Sequence, residues 1–267
     1  MKTKIFMLGT GSAFPSNSYN TCFIIKTPRL LWLTDGGGGY GIFDALSRAG
    51  IEPGTLHHIF VTHSHTDHIF GIVWLLRKIV HLRMQGLYSE MLHVYANPET
   101  ARALTEICRL TFLDSYFRVL QEVMEISDAS EGCSYHIEDT DISFFNVGSE
   151  NVCQSGFRMT LPDGKTIVCF GDEALTHVNM HHATGADMLI CGAFCRYADR
   201  DIYKPYEKHH LTVKDVAETA TKIHIGNLVL IHSEDRTPDK PAAYRAEAAE
   251  YFPGMVTIPS DGDILSL

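Results

Sequence analysis

The chain has 267 residues, of which 45% are hydrophobic and 20% charged, an ordinary globular balance with enough length to bury a sizeable core. Lys and Arg number 22 against 32 Asp and Glu, so the net charge is −10; this argues against a protein that grips long nucleic acid through its phosphates, although a local basic groove is compatible with it. No stretch approaches the roughly 18 apolar residues of a membrane span, so no membrane partner is expected.

The opening segment "MKTKIFMLGTGSAF" has an apolar run too short for a signal-peptide core and reads as a buried strand. "KIFMLG" and "TCFIIKT" are strands joined by a Gly-, Ser-, Asn- and Pro-rich loop, and "LLWLTDGGGG" is a third strand ending in Asp35. A helix over "YGIFDALSRAG" stops at Gly50, and "HHIFVTH" is a fourth strand. "HIFGIVWLLRKIVHLRMQG" predicts a strongly apolar helix, "LHVYA" a strand, and "ETARALTEICRLTF" a helix opened by Pro98. "ISFFNV", "GFRMTLP", "TIVCFGD", "DMLICGAF" and "NLVLIH" are further strands, with "PDGK" a turn and "TVKDVAETATKIH" a helix opened by Thr212. His177, His181 and His182 are expected on the solvated face of a helix. This alternation predicts an α/β fold over 1–267 as a single domain, with no low-complexity linker dividing it. Seven cysteines, an odd number without a paired framework, read as free core-filling thiols in a reducing, cytoplasmic setting.

The densest chemistry is in "FVTHSHTDHIFG", residues 60–71, where three histidines and an aspartate crowd the end of a strand. Histidine is the commonest nitrogen ligand of zinc, and aspartate adds a hard oxygen. Asp35, the His63 cluster, Asp172 and His232 all fall at the ends of apolar strands, which is where ligands collect on an α/β sheet. Two ions about 3.5–4 Å apart need histidines on each and a carboxylate that bridges them, and H-x-H-x-D-H suits that requirement. A Gly-Asp pair such as Gly171-Asp172 is ordinarily only a turn, and a lone histidine such as His232 ordinarily only packs or caps; their places after apolar strands make them candidates.

The motifs "LGTGSAFP", "HSHTDH", "GDEA", "HHLTVKD" and "LVLIHSEDR" resemble, in this order, those of the metallo-β-lactamase superfamily and its ribonuclease Z-like branch. The resemblance covers most of the chain and implies a four-layer αββα sandwich with two divalent metal ions, zinc foremost and manganese or iron as alternatives, at one edge of the sheets. It implies that His63 and His65 bind the first ion, that Asp67, His68 and His232 bind the second, and that Asp172 bridges. It casts Asp35 as a support that holds the ligand loops by hydrogen bonds. His210 matches a family histidine that steadies a scissile phosphate or protonates a leaving oxygen, a part that His209 could also play.

Two features depart from the family pattern. The segment "NVGSENVCQSGFRM" lacks the histidine that normally completes the first ion's ligands; Glu150 falls nearest, either as a substitute oxygen ligand or as an ordinary loop residue. Between Gly156 and Gly171, where short bacterial tRNA-processing members carry a basic arm, only "FRMTLPDGKTIVCF" remains, which argues against tRNA as substrate. The leading expectation is a metal-dependent hydrolase of a small or short phosphodiester, with Asp67 orienting a metal-activated water and taking its proton. A hydrolase of a carboxylic ester, lactone or amide, and a non-catalytic binding or sensing protein with a degraded site, are the alternatives. The apolar run "IFGIVWLLRKIV" exceeds one buried helix face, and with the family habit it predicts a homodimer covering Trp74.

Overall fold

The structure is a computed structural model that describes residues 2–267 except Ala174, Thr176 and His177. The predicted His177 position therefore lies outside the described residues.

The first half of the chain builds one sheet. It contains β1 (Lys4–Gly9), β2 (Cys22–Lys26), β3 (Leu31–Thr34), β4 (His58–Phe60), β5 (Leu92–Ala96) and β6 (Met124–Asp128), with α1 (Gly41–Arg48), α2 (Thr66–Met84), α3 (Pro98–Thr111) and α4 (Asp114–Val123) between them. The second half builds the other, from β7 (Ser134–Ile137), β8 (Thr140–Asn146), β9 (Ser155–Thr160), β10 (Thr166–Gly171), β11 (Met188–Gly192), β12 (Asn227–Ile231) and β13 (Met255–Thr257), with α5 (Arg200–Tyr203), α6 (Val213–Lys222) and α7 (Lys240–Ala249). A last strand, β14 (Ile264–Ser266), returns to pair with β1. The orders are β14-β1-β2-β3-β4-β5-β6 and β13-β12-β11-β10-β9-β8-β7. Each sheet is antiparallel on one side and parallel on the other, since β3 to β6 run parallel and so do β10 to β13.

Strands buried on both faces explain the near-continuous apolar runs. In β2, Cys22 and Ile24 face the helices while Phe23 and Ile25 face the second sheet. The inter-sheet layer centres on Trp32, fully buried among Phe60, Tyr95, Phe144 and Phe157. Helix α2 lays Ile69, Ile72, Leu75, Leu76, Ile79 and Val80 on the first sheet at helical spacing. Truncating Leu76 there to alanine is expected to cost about 2–5 kcal/mol. Helices α6 and α7 cover the second sheet through Val213, Val216, Ala217, Tyr244 and Ala248. A capping box between Thr212 and Asp215 starts α6, and Asn97 caps α3 ahead of Pro98. Three apolar layers between two helical faces and two sheets make the four-layer α/β sandwich.

Three local expectations are corrected. Strand β4 is only His58–Phe60, and its continuation to His63 is irregular because it carries the site. His181 and His182 lie on a short 3-10 turn, Met180–Ala183, and not on an α-helix. His181 is exposed as expected, whereas His182 is only partly so, its ring stacking on Phe145 with centroids 4.3 Å apart. None of the seven cysteines is bridged, and Cys22, Cys108, Cys169, Cys191 and Cys195 are buried as expected of core fillers, whereas Cys133 and Cys153 are only partly buried.

Candidate metal centre

The chain brings Asp35, the His63 cluster, Asp172 and His232 to the carboxyl ends of β3, β4, β10 and β12. His65 is the N-cap of α2, and Asp67 and His68 occupy its first turn, where the helix dipole favours a carboxylate. Asp35 and His232 hold left-handed φ values of 57° and 51°, strain of about 1–3 kcal/mol each that ordinary turns avoid. Gly192 on β11 leaves room for the Asp172 turn, because any Cβ there would collide with the Asp172 carbonyl oxygen.

Two donor groups result, Asp67–His68–Asp172–His232 and His63–His65–Asp172, and within each the donor atoms lie within 4.8 Å of one another. Asp172 belongs to both. Its Oδ2 stands 3.0 Å from His68 Nε2 and 3.6 Å from His63 Nε2, and its Oδ1 stands 3.0 Å from His232 Nδ1. Asp67 Oδ2 is 3.3 Å from His68 Nε2. All but His65 are buried. Despite these close approaches, His68 Nε2, Asp172 Oδ1 and His232 Nδ1 make no well-aligned hydrogen bond. Buried polar atoms that converge yet remain unpaired are costly unless a further group satisfies them, and nitrogen and oxygen donors in these numbers suit divalent zinc or a harder ion. The residues therefore fit the metal ions that the fold implies.

Behind the donors, Asp35 accepts hydrogen bonds from His68 Nδ1 at 2.8 Å, from the Thr62 amide at 2.8 Å and from Thr62 Oγ1 at 2.8 Å. Thr62 Oγ1 lies 2.9 Å from His63 Nδ1 and, since it donates to Asp35, accepts from that nitrogen. The Asp35 carboxylate thus fixes His68 in the tautomer that leaves Nε2 free and reaches His63 through Thr62. Gln154, 2% exposed, also meets His63 Nδ1 at 3.1 Å.

The charges are strongly coupled. Burial alone would raise the Asp67 carboxyl, but the adjacent His68 imidazole brings it down to about 2. Burial would likewise raise Asp172, and His232 and His68 outweigh it and hold it well below the usual range. His68 goes up despite burial because Asp172 and Asp35 flank it, whereas burial takes His63 and His232 down. In the metal-free protein a proton on His68 thus stands where a cation would otherwise satisfy the same carboxylates.

A cavity of about 450 Å³ opens over His63, His65, Asp67, Asp172 and His232 and includes His210, Lys208 and Arg236 in its wall. His210 stacks on Phe194 with ring centroids 5.0 Å apart, lies 5.3 Å from the His232 ring, and is pushed by burial to about 4. His209, by contrast, is exposed in a left-handed turn. Glu150 is exposed and belongs to neither donor group, although its neighbours Ser149 and Asn151 line the cavity and Gln154 directly precedes β9. Thr62, Gln154, Lys208 and Arg236 escaped the sequence reading. Thr62 lies inside the histidine motif, a signal that was available, but Gln154 carried none.

The fold and donor set define a ribonuclease Z-like protein of the metallo-β-lactamase superfamily, a class of metal-dependent hydrolases. Residues 3–191 match the family described as "Anti-Pycsar protein Apyc1", and the chain belongs to that family. It is 26% identical to the ribonuclease Z of Myxococcus xanthus (strain DK1622) over 313 aligned positions, covering 99% of this chain and 97% of the relative. The ribonuclease Z of Mycobacterium sp. (strain KMS) is 25% identical, at 97% and 94% coverage. Among solved structures, the metallo-β-lactamase fold protein YhfI from Bacillus subtilis superimposes with a TM-score of 0.81 at 18% identity, covering all of both chains. The short form of human tRNase Z gives 0.75 at 22% identity, covering 98% of each. A diphosphatase of the PhnP family also gives 0.75, at 17% identity, covering 100% of this chain and 98% of that one.

Proposed function

We propose that this protein is a metal-dependent phosphodiesterase acting on a small or short phosphodiester. The observation that carries the reading is the position of Asp172, one buried carboxylate shared by two convergent donor groups. Two divalent ions held there, most simply zinc, would supply an acidified water as nucleophile and positive charge against the phosphoryl oxygens.

The protein's own groups do the rest. Asp67, held ionised near 2, is a weak base; it can take a proton from a water acidified beside it while fixing that water's orientation. Neutral His210, in the cavity wall, is suited to donate a hydrogen bond to a phosphoryl oxygen and less to act as a free acid. Lys208 and Arg236 add positive charge on the same wall, although Arg236 is already paired with Glu234. The link between β9 and β10 is a tight turn closed by the Leu161 amide on the Lys165 carbonyl, with no arm of the kind that grips tRNA. A cavity of about 450 Å³ and a net charge of −10 favour a compact substrate over tRNA.

The reading includes a homodimer. Phe70 and Trp74 on α2 are 39% and 42% exposed, and Tyr40 meets Trp74 edge-on at 5.3 Å. With Val73, Ile107 and Phe112, Phe70 and Trp74 line one hollow, an apolar face that a second copy would cover. The unbridged thiols fit a cytoplasmic location. Hydrolysis of chromogenic phosphodiesters and carboxylic esters, before and after chelation and with zinc or manganese restored, tests the activity; restored cleavage of the phosphodiesters is expected, and cleavage of carboxylic esters alone would overturn it.

A further inference from the structure

Phe14 is the most exposed large apolar side chain among the described residues, at 96%, and it stands in the wall of the metal-centre cavity. It contributes nothing to the core, yet its loop is firmly built. Asp235 Oδ2 accepts from three successive backbone amides, Ser16 at 2.8 Å, Asn17 at 2.6 Å and Ser18 at 3.1 Å, and from Ser18 Oγ at 3.1 Å. On the other side of Phe14, Asn20 Nδ2 donates to the carbonyls of Ser12 and Ala13 at 2.8 and 3.3 Å. The anchor is continuous with the centre: Asp235 lies three residues beyond His232, and the intervening Ser233 amide donates to the Thr10 carbonyl at 3.3 Å. The loop that carries Phe14 and the loop that carries a metal-ligand candidate are therefore one tied unit.

From this placement we infer that Phe14 is a specificity-determining residue: an aromatic platform at the cavity mouth that receives a flat aromatic substituent of the substrate, with Asp235 as the positioning residue that holds it there. The inference rests on the phosphodiesterase reading and narrows its substrate class to phosphodiesters carrying an aromatic group. The complement is chemical as well as spatial. Lys208, Arg236 and His210 line the same cavity and suit the phosphate, while an aromatic face at the mouth suits a ring. A purely ionic substrate would leave Phe14 solvated for no gain. A rigid loop also spares the ordering cost that a mobile aromatic would incur on binding.

The test measures binding of phenyl phosphate and methyl phosphate to the metal-loaded protein by calorimetry, alongside hydrolysis of bis(4-nitrophenyl) phosphate. Wild type should bind phenyl phosphate more tightly. Phe14→Ala should weaken phenyl phosphate about tenfold and methyl phosphate less than about twofold, whereas Phe14→Trp should preserve the preference. Asp235→Ala, compared with wild type at equal metal content measured in the same sample, should shift the preference in the same direction, because it frees the Ser16–Ser18 amides that hold the Phe14 loop. Equal weakening of both ligands in Phe14→Ala, or no preference in wild type, overturns the platform even if the diester is cleaved. A Phe14-dependent preference in a protein that cleaves no diester upholds the platform and removes the enzymatic reading.

Discussion

Asp35 Oδ2 sits 2.8 Å from His68 Nδ1, and both side chains are almost wholly buried. The pair sets the direction of a metal-ligand candidate from behind, and the same carboxylate reaches His63 through Thr62. Asp35→Asn replaces one of two acceptor oxygens with a donor and removes the charge. Metal affinity should fall by about 10- to 100-fold, measured by competition with a chromophoric chelator. An unchanged affinity would show that the orientation of His68 is set elsewhere.

The two donor groups are unequal. Asp67, His68, Asp172 and His232 offer four residues, whereas His63, His65 and Asp172 offer three, one of them exposed. Protein purified without chelators should hold one to two equivalents of metal, and dialysis should empty the His63 side first. Binding should release protons, because His68 carries one in the empty site, so affinity should weaken as pH falls. Glu150→Ala should leave the stoichiometry unchanged, since Glu150 lies outside both groups; loss of an equivalent would restore it as a ligand.

The sequence made the donor set legible because it clusters on short motifs at the ends of apolar strands. His63, His65, Asp67, His68, Asp172 and His232 all converge as those motifs implied, and Asp35 stands behind them. What the sequence hid depends on long-range contacts. Gln154 meets His63 across 91 positions, and Asp235 meets the Ser16–Ser18 amides across more than 200, with no local pattern to announce either. The weaker elements escaped for a different reason. Strand β6 is a half-buried edge and β13 and β14 are three residues each, so their apolar signal is slight.

At the opposite end of the first sheet, His58 stacks on His93 with centroids 5.2 Å apart and contacts the Tyr95 hydroxyl. Burial first, and then the neighbouring His93 and His57, push His58 down to about 4, against about 6.5 unfolded. Between those values the unfolded chain binds a proton that the folded chain does not. Stability is therefore fully retained above about pH 6.5 and falls as pH drops toward 4. His210, also near 4, acts with the same sign. Urea midpoints at pH 7 and pH 5 should separate in wild type and separate less in His58→Gln; equal separations would contradict this assignment.

The exposed α2 face gives a test of association. Wild type should sediment as a dimer at micromolar concentration, and Trp74→Glu, which places a charge in the apolar patch, should shift it to monomer. A monomeric wild type removes the dimer.

The central claim is that this donor set cleaves a phosphodiester. It is tested most directly by the turnover of bis(4-nitrophenyl) phosphate by metal-loaded wild type, Asp67→Asn and His210→Ala, each with metal content measured in the same sample. Wild type should turn over, and Asp67→Asn should lose at least about a hundredfold. His210→Ala should lose turnover at nearly unchanged metal content. Equal cleavage by wild type and Asp67→Asn, or no cleavage by a fully loaded wild type, would contradict the account.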